Sequence, residues 1–186
     1  MLLALEGIDC AGKGEISQKL AKALGALLYK TPPESMRDEQ NHVNATASDE
    51  EHYRYFVRVC EEASKELPAL LEKGDVILDR YWMTTVVYHR VMGIEAHLND
   101  FNILMMPNVT VYLTVTPEVQ AERFKKREMT PGDRRMDGRY PQLRAMYDTV
   151  LADEVLPVIR LDTSQYNSDE STALILDELR RLQLIY

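Results

Sequence analysis

Gly7-Ile8-Asp9-Cys10-Ala11-Gly12-Lys13-Gly14-Glu15 is the stretch whose reading decides the fold. It follows an apolar run, Leu2-Leu3-Ala4-Leu5, and precedes a helical pattern beginning near Ile16 and carried on by Leu20, Ala23 and Leu24. Strand, glycine-bounded loop, lysine and helix is the order that cradles phosphate, because backbone N–H groups and the helix's positive end point at the anion. The lysine adds a charge that reaches the β- and γ-oxygens. On this reading Gly7, Ile8, Asp9, Cys10, Ala11, Gly12, Lys13, Gly14 and Glu15 surround the phosphates of a nucleotide. The match is incomplete. Ser or Thr ordinarily follows the lysine to hold Mg²⁺, and here Gly14 and then an acidic Glu15 stand there.

Working outward, strand and helix patterns alternate to the end of the chain. Gly25 is placed to end the first helix, and Ala26 to Tyr29 reads as a second strand. Thr31 to Ala47, with Pro32-Pro33 and several charges, reads as a polar connection. Ser48 followed by Glu51 is a capping-box signature that opens a long helix to about Glu72, with Pro68 placed to bend it. Val76-Ile77-Leu78 is a brief strand ending at Asp79-Arg80-Tyr81. Helix is expected through Val86 and again, after Gly93, through Leu104. Val109 to Val115 alternates as a strand, and Thr116-Pro117 starts another helix. Val158 to Leu161 and Ser168 to Leu182 read as the last strand and helix. Such an order predicts an α/β fold, a mostly parallel five-stranded sheet covered by helices on both faces, in one domain over residues 1–186.

Composition narrows the function classes. With 186 residues and 45% apolar content the chain can bury a core and is not wholly disordered. No apolar run is long enough to cross a membrane. Met1 leads directly into the first strand, so no signal peptide is expected, and Cys10 and Cys60 are too few for a disulfide framework. A reduced, cytoplasmic setting follows as the expectation. A net charge of −8 argues against a nucleic-acid polymer as partner. Any polyanion must therefore be met by a local basic patch.

In open α/β sheets ligands sit at the carboxyl ends of the strands. The Gly7–Lys13 loop follows the first strand and Asp79-Arg80-Tyr81 the third, which puts both on one rim. An aspartate there can hold Mg²⁺, directly or through water, and the adjacent arginine can grip phosphate with two hydrogen bonds. The segment from Arg123 to Arg139 gathers Lys125, Lys126, Arg127, Arg134 and Arg135 in an otherwise acidic chain. Pro131-Gly132 interrupts its helix, as a mobile flap over about 126–139 requires. A closing flap of this kind excludes water and brings positive charge to a transferring phosphoryl group; a solvated basic loop is the plainer alternative. In the long helix Arg54 and Arg58 are four apart and share a face beside Tyr53, Tyr55 and Phe56. That suits a nucleotide's phosphate and base, and the aromatic spacing equally suits simple core packing.

Together these segments resemble the thymidylate kinase family of P-loop nucleoside-monophosphate kinases. Leu5-Glu6-Gly7-Ile8-Asp9-Cys10-Ala11-Gly12-Lys13 resembles the family's EG-x-D-x-AGK opening, and Asp79 to His89 its DRY…SS…AYQ signature. Pro107 to Val119 resembles its PDLT-x-YLDV-x-PEV strand, and Asp162-Thr163-Ser164 the loop near the adenine. The resemblance implies a P-loop kinase fold, usually in a homodimer, with ATP- and Mg²⁺-dependent phosphoryl transfer to a deoxynucleoside monophosphate, most often dTMP. It assigns Lys13 and the loop amides to the donor phosphates and Thr163 to the ATP site. Arg80 and Arg58 go to the acceptor phosphate, Asp9 to the acceptor's sugar, and Pro33, Arg54, Thr84 and Tyr88 to the acceptor pocket. Asp79 is the metal candidate, and Arg127, Arg134 and Arg135 face the transition state, since Cys10 departs from members with a basic residue at that point.

Other departures touch specificity. Arg54 stands where the family has a base-stacking Phe, Ser35 where an arginine is often found (Arg37 is near), and His89 where a Gln lies near the base. Two alternatives stay open at this level: a kinase for another nucleotide or nucleoside, and a nucleotide-binding regulatory module without catalysis.

Overall fold

The apolar run near the amino terminus becomes β1 (Leu2–Gly7), every residue of which is buried. In the computed structural model, which describes Met1–Tyr186, β1 lies at the middle of a five-stranded sheet. β2 (Leu27–Lys30), β3 (Val76–Asp79), β4 (Val109–Thr114) and β5 (Val158–Asp162) complete it in the order β2-β3-β1-β4-β5. Every neighbouring pair is parallel, so the sheet is parallel throughout rather than mostly so. Parallel sheets need cover on both faces. Leu3, Leu5, Ile77 and Val111 accordingly join one apolar cluster with Ile16, Leu20, Leu67, Val87, Tyr147 and Leu179 from the helices. Leu5 pairs with Asp79 and Gly7 with Leu113, which brings the ends of β1, β3 and β4 to one rim. Chain direction out of the sheet reverses there, and that is where a crevice opens in doubly wound folds.

α1 (Lys13–Leu24) starts three residues earlier than the apolar stripe, at the lysine itself, and Gly25 ends it in the left-handed conformation. α3 (Asp49–Leu71) opens on the expected capping box, with Glu51 N–H to Ser48 Oγ at 3.3 Å and Ser48 N–H to Glu51 Oε2 at 2.9 Å. Three expectations are corrected. The polar connection from Thr31 to Ala47 folds into a 3₁₀ turn, Glu34–Met36, and α2 (Arg37–Thr46), none of whose residues is buried. A helix with no apolar stripe leaves no periodic signal. No α-helix continues from Gly93 to Leu104. α4 (Trp82–Met92) stops at Gly93, and only a 3₁₀ turn, Leu98–Asp100, follows.

The third correction concerns Pro131-Gly132, which begins a helix instead of interrupting one. Thr130 caps α6 (Pro131–Arg135), with proline in the first turn, where its missing N–H costs nothing. α5 (Pro117–Phe124), α7 (Tyr140–Ala152) and α8 (Ser168–Arg181) complete the fold. No helix is long and apolar enough to cross a membrane.

Candidate active site

Gly7 has φ +140°, and a Cβ there would stand 2.1 Å from the Leu113 carbonyl oxygen. Only glycine lets the chain leave β1 so close to β4. Cys10 (φ 64°) and Gly12 (φ 89°) then curl the loop around the head of α1. Lys13 is buried beneath it, and its Nζ donates to the carbonyls of Gly7 at 2.8 Å and Ile8 at 2.6 Å. Burial, followed by the charge of Arg80, lowers the Lys13 ammonium to about 8. An incoming anion would offset both effects.

Arg80 also takes a left-handed backbone, φ 69°, while its N–H holds the Leu5 carbonyl at 3.0 Å. Its guanidinium pairs with the Asp9 carboxylate and lies 3.4 Å from the Tyr88 hydroxyl. Tyr88 in turn donates to Asp9 Oδ2 at 3.0 Å. Asp9, Arg80 and Tyr88 thus form a closed triangle at the rim.

Behind the triangle stands Glu6, buried one residue before Gly7. It accepts from the Tyr81 N–H at 3.0 Å, the Thr84 N–H at 3.1 Å and the Thr84 hydroxyl. α4 has no side-chain cap of its own, so a carboxylate from β1 satisfies its first amides. Burial raises Glu6 to about 7, against the lowering effect of the Thr84 bond and the charges of Arg80 and Lys13. The Tyr147 hydroxyl closes the arrangement 2.9 Å from Thr84 Oγ1.

α5 ties the loop to β5. Gln120 donates to the Asp9 carbonyl at 2.8 Å, and Arg123 donates to the Cys10 carbonyl at 2.9 Å and the Thr163 carbonyl at 2.7 Å. Thr163 Oγ1 donates to the Ala11 carbonyl at 3.1 Å. Glu6, Gln120, Arg123 and Tyr147 were not singled out from sequence as site residues. Glu6 did leave a signal, a lone charge inside an apolar strand, which is rarely buried without partners.

A cleft of about 730 Å³ opens over the loop, bounded by Lys13, Glu15, Asp79, Arg123, Arg127 and Thr163. A smaller cavity of about 180 Å³ lies on the other side, lined by Asn44, His52, Phe56, Thr84, Tyr88 and Arg135 among others. Asp9 and Arg80 line both. A third, mostly polar cavity of about 250 Å³ joins Lys30, Arg37 and Gln40 to Asp79 and Arg80. No group of three or more His, Cys, Asp or Glu side chains forms a ready metal cage. Mg²⁺ beside phosphates needs less, because it keeps several waters and takes one or two carboxylates. Asp79 and Glu15 on the wall of the larger cleft fit that demand, and Gly14 leaves space, its Cβ position lying 3.9 Å from Asp79 Oδ2.

Among the acceptor candidates, Thr84 and Tyr88 reach the smaller cavity, whereas Pro33 sits at the head of the 3₁₀ turn and lines none of the three. Arg54 and Arg58 do share a face of α3, but it is the outer one. Arg54 pairs with Glu50 at 3.2 Å, and Arg58 pairs with Glu39 of α2. Two positions away from each arginine, His52 and Phe56 occupy the cavity face. Spacing by four establishes a common face and says nothing of which face is inward.

The arginines of the basic segment divide. Arg127 reaches the larger cleft, held by Asp133 through two hydrogen bonds of 2.8 and 2.7 Å, with its Nε 3.3 Å from Cys10 Sγ. Arg134 is exposed and lines neither cavity. Arg135 turns to the smaller cavity and binds the α2–α3 joint, at 2.7 Å from Asp49 Oδ1 and 2.7 Å from the Ala47 carbonyl.

Comparison with known proteins adds kinship to this geometry. A family model described as thymidylate kinase matches residues 5–171. A probable thymidylate kinase of Archaeoglobus fulgidus is 35% identical over 138 residues, covering 68% of this chain and 70% of that one. A thymidylate kinase of Xylella fastidiosa is 31% identical over 143 residues, covering 70% and 69%. Among solved structures, a thymidylate kinase from Candida albicans aligns over 98% of this chain and 92% of its own, with a TM-score of 0.77 at 19% identity. A deoxyadenosine kinase from M. mycoides aligns over 97% and 100%, with a TM-score of 0.73 at 19% identity. At such identities the structural likenesses speak for the P-loop kinase fold.

Proposed function

The chain belongs to the thymidylate kinase family of nucleoside-monophosphate kinases, and from that premise we propose that it transfers the γ-phosphoryl group of ATP to dTMP, in a cytoplasmic homodimer. The observation that carries this reading is the wall shared by two cavities. Asp9 and Arg80 border both the larger cleft and the smaller one, so a donor in the first meets an acceptor in the second at the Arg80 guanidinium.

In this reading the loop amides and Lys13 hold the donor phosphates, and Arg80 draws the acceptor phosphate against them. The attacking phosphate oxygen is already ionised, so the step needs no general base. A bond forms from that oxygen to the γ-phosphorus while the bond to the β–γ bridging oxygen breaks, leaving ADP. Lys13 and Arg127 follow the charge as it shifts, the main route to rate in phosphoryl transfer. Mg²⁺, held by Asp79 with Glu15, would neutralise charge on the donor's phosphate oxygens. Asp9 and Tyr88 orient the acceptor's sugar beside Thr84, and the segment 126–139 serves as the lid that closes over both nucleotides.

One observation favours a second acceptor as the competing reading: the arginines of α3 face away from the smaller cavity. ADP production measured with ATP and Mg²⁺ across a panel of nucleoside monophosphates and thymidine decides between them. Preference for dTMP is expected, and preference for another acceptor would move the specificity. Lys13→Ala and Arg80→Ala should each lower turnover by more than about tenfold. Near-wild-type rates from both variants would overturn the assignment.

A further inference from the structure

Phosphoryl transfer leaves unused a chain of polar side chains, two of them buried, that reaches the smaller cavity through His52 and Asn44. His52 of α3 and His89 of α4 are both buried, with His52 Nδ1 2.7 Å from His89 Nε2. His89 Nδ1 lies 2.6 Å from the Thr85 carbonyl, which can only accept, so that nitrogen carries a proton. Burial keeps both rings neutral, lowering His52 to about 3 and His89 to about 4, and at His52 the neighbouring His89 and Arg135 act in the same direction. A neutral His89 presents a lone pair at Nε2, and His52 Nδ1–H must donate to it. His52 Nε2 is then itself a lone pair.

The Asn44 carboxamide meets that nitrogen at 2.9 Å. Its oxygen and nitrogen exchange places by a half-turn, and the order of protons selects the turn in which the NH₂ donates to His52. The Asn44 carbonyl is left pointing away from the histidines. The outward end of the carboxamide stands toward α6, 3.8 Å from where a Cβ on Gly132 would be, and both residues line the cavity. The Asn44 backbone is also fixed, its carbonyl 3.4 Å from the Arg135 guanidinium. Phe56, one turn beyond His52, lines the same cavity, its ring centre 4.8 Å from that of His52.

We propose that Asn44 reads the base of the acceptor, presenting its carbonyl to a ring N–H, and that His52 and His89 are positioning residues that hold it in that orientation. Asp9 and Tyr88 fix the sugar end of the cavity, so the base extends toward Asn44 with Phe56 alongside. A base whose outer edge carries an imide N–H, as thymine's does, gives this acceptor its partner. A base methylated at that nitrogen leaves the carbonyl unpaired and fills the space it needs. The inference rests on the kinase reading above and adds to it the group that selects the base.

The test compares wild type, Asn44→Leu and Asn44→Asp with dTMP and its N3-methyl analogue, recording kcat and KM for the acceptor and KM for ATP. Wild type is expected to disfavour the methylated analogue by more than about tenfold in kcat/KM. Asn44→Leu should lose that discrimination with the KM for ATP unchanged. Asn44→Asp, which keeps an acceptor oxygen, should retain part of it. The positioning role has its own signature. Nitrogen NMR of the wild type near neutral pH should show the proton on Nδ1 of both rings. A wild type that accepts both nucleotides equally, or an Asn44→Leu variant that still rejects the analogue, would overturn the inference and leave the kinase standing. A proton on Nε2 of His52 would remove its stated basis. A wild type that phosphorylates no nucleotide at all would bring down the kinase reading, and this inference with it.

Discussion

Three buried side chains near the rim, His52, His89 and Glu6, give the folded protein a pH dependence whose sign can be worked out. The histidines shift from 6.5 to about 3 and about 4 on folding. Above pH 6.5 their contribution is fully present; as pH falls, the unfolded chain takes up protons that the folded one refuses, and stability is lost. Glu6 works in the opposite sense. Its carboxyl rises from 4.5 to about 7, so its contribution is present below 4.5 and lost as pH rises through 7. Between pH 6.5 and 4.5 two histidines act against one carboxyl, and the thermal midpoint should fall as the solution is acidified. His89→Phe should flatten that slope in a melting series, and a slope unchanged from wild type would contradict the neutral pair. Asp79 and Arg80 were legible as candidates because they stand at the end of β3, and Lys13 because it follows a glycine-bounded loop at the head of α1. His52 and Phe56 were not, because an amphipathic pattern with aromatics on two faces does not say which face turns inward.

At the scale of elements the least legible piece is α2. Its sequence has no apolar stripe, so its place depends on neighbours. The Tyr55 hydroxyl donates to the Met36 carbonyl at 2.8 Å, Glu39 pairs with Arg58, and Arg135 holds the carbonyls at the helix's end. Cations favour a helix carboxyl end through its partial negative charge, and here the cation belongs to α6, in the segment read as a lid. Arg135→Ala should therefore speed amide hydrogen exchange across residues 37–46 and raise the KM for the acceptor more than that for ATP. A larger rise in the KM for ATP would place Arg135 with the donor instead. The capping boxes of α3 and α6 show the contrast, since Ser48–Glu51 and Thr130–Asp133 carry their signals within four residues. Helix starts written locally are readable; a helix stabilised by distant partners is not.

For the whole molecule, alternating strand and helix patterns led to a parallel sheet, but not to its order. β3 and β4 both flank β1 because of how the crossovers pass over the faces, which no local spacing records. That order gathers Gly7, Asp79 and Thr163 at one rim although they are far apart in the chain. It also separates the two cysteines. Cys60 of α3 lies in the core against Thr85 of α4, its thiol pushed up to about 12 by burial, whereas Cys10 is partly exposed on the loop before α1, against Arg127. A thiol-reactive dye applied to the folded protein should therefore attach once, at Cys10, with mass spectrometry of the digested product finding Cys60 unlabelled. ATP should slow that attachment, and the rate of dye uptake would read directly how much of the enzyme is occupied. Slowing by ATP would make Cys10, with no label engineered in, a single-site gauge of nucleotide binding.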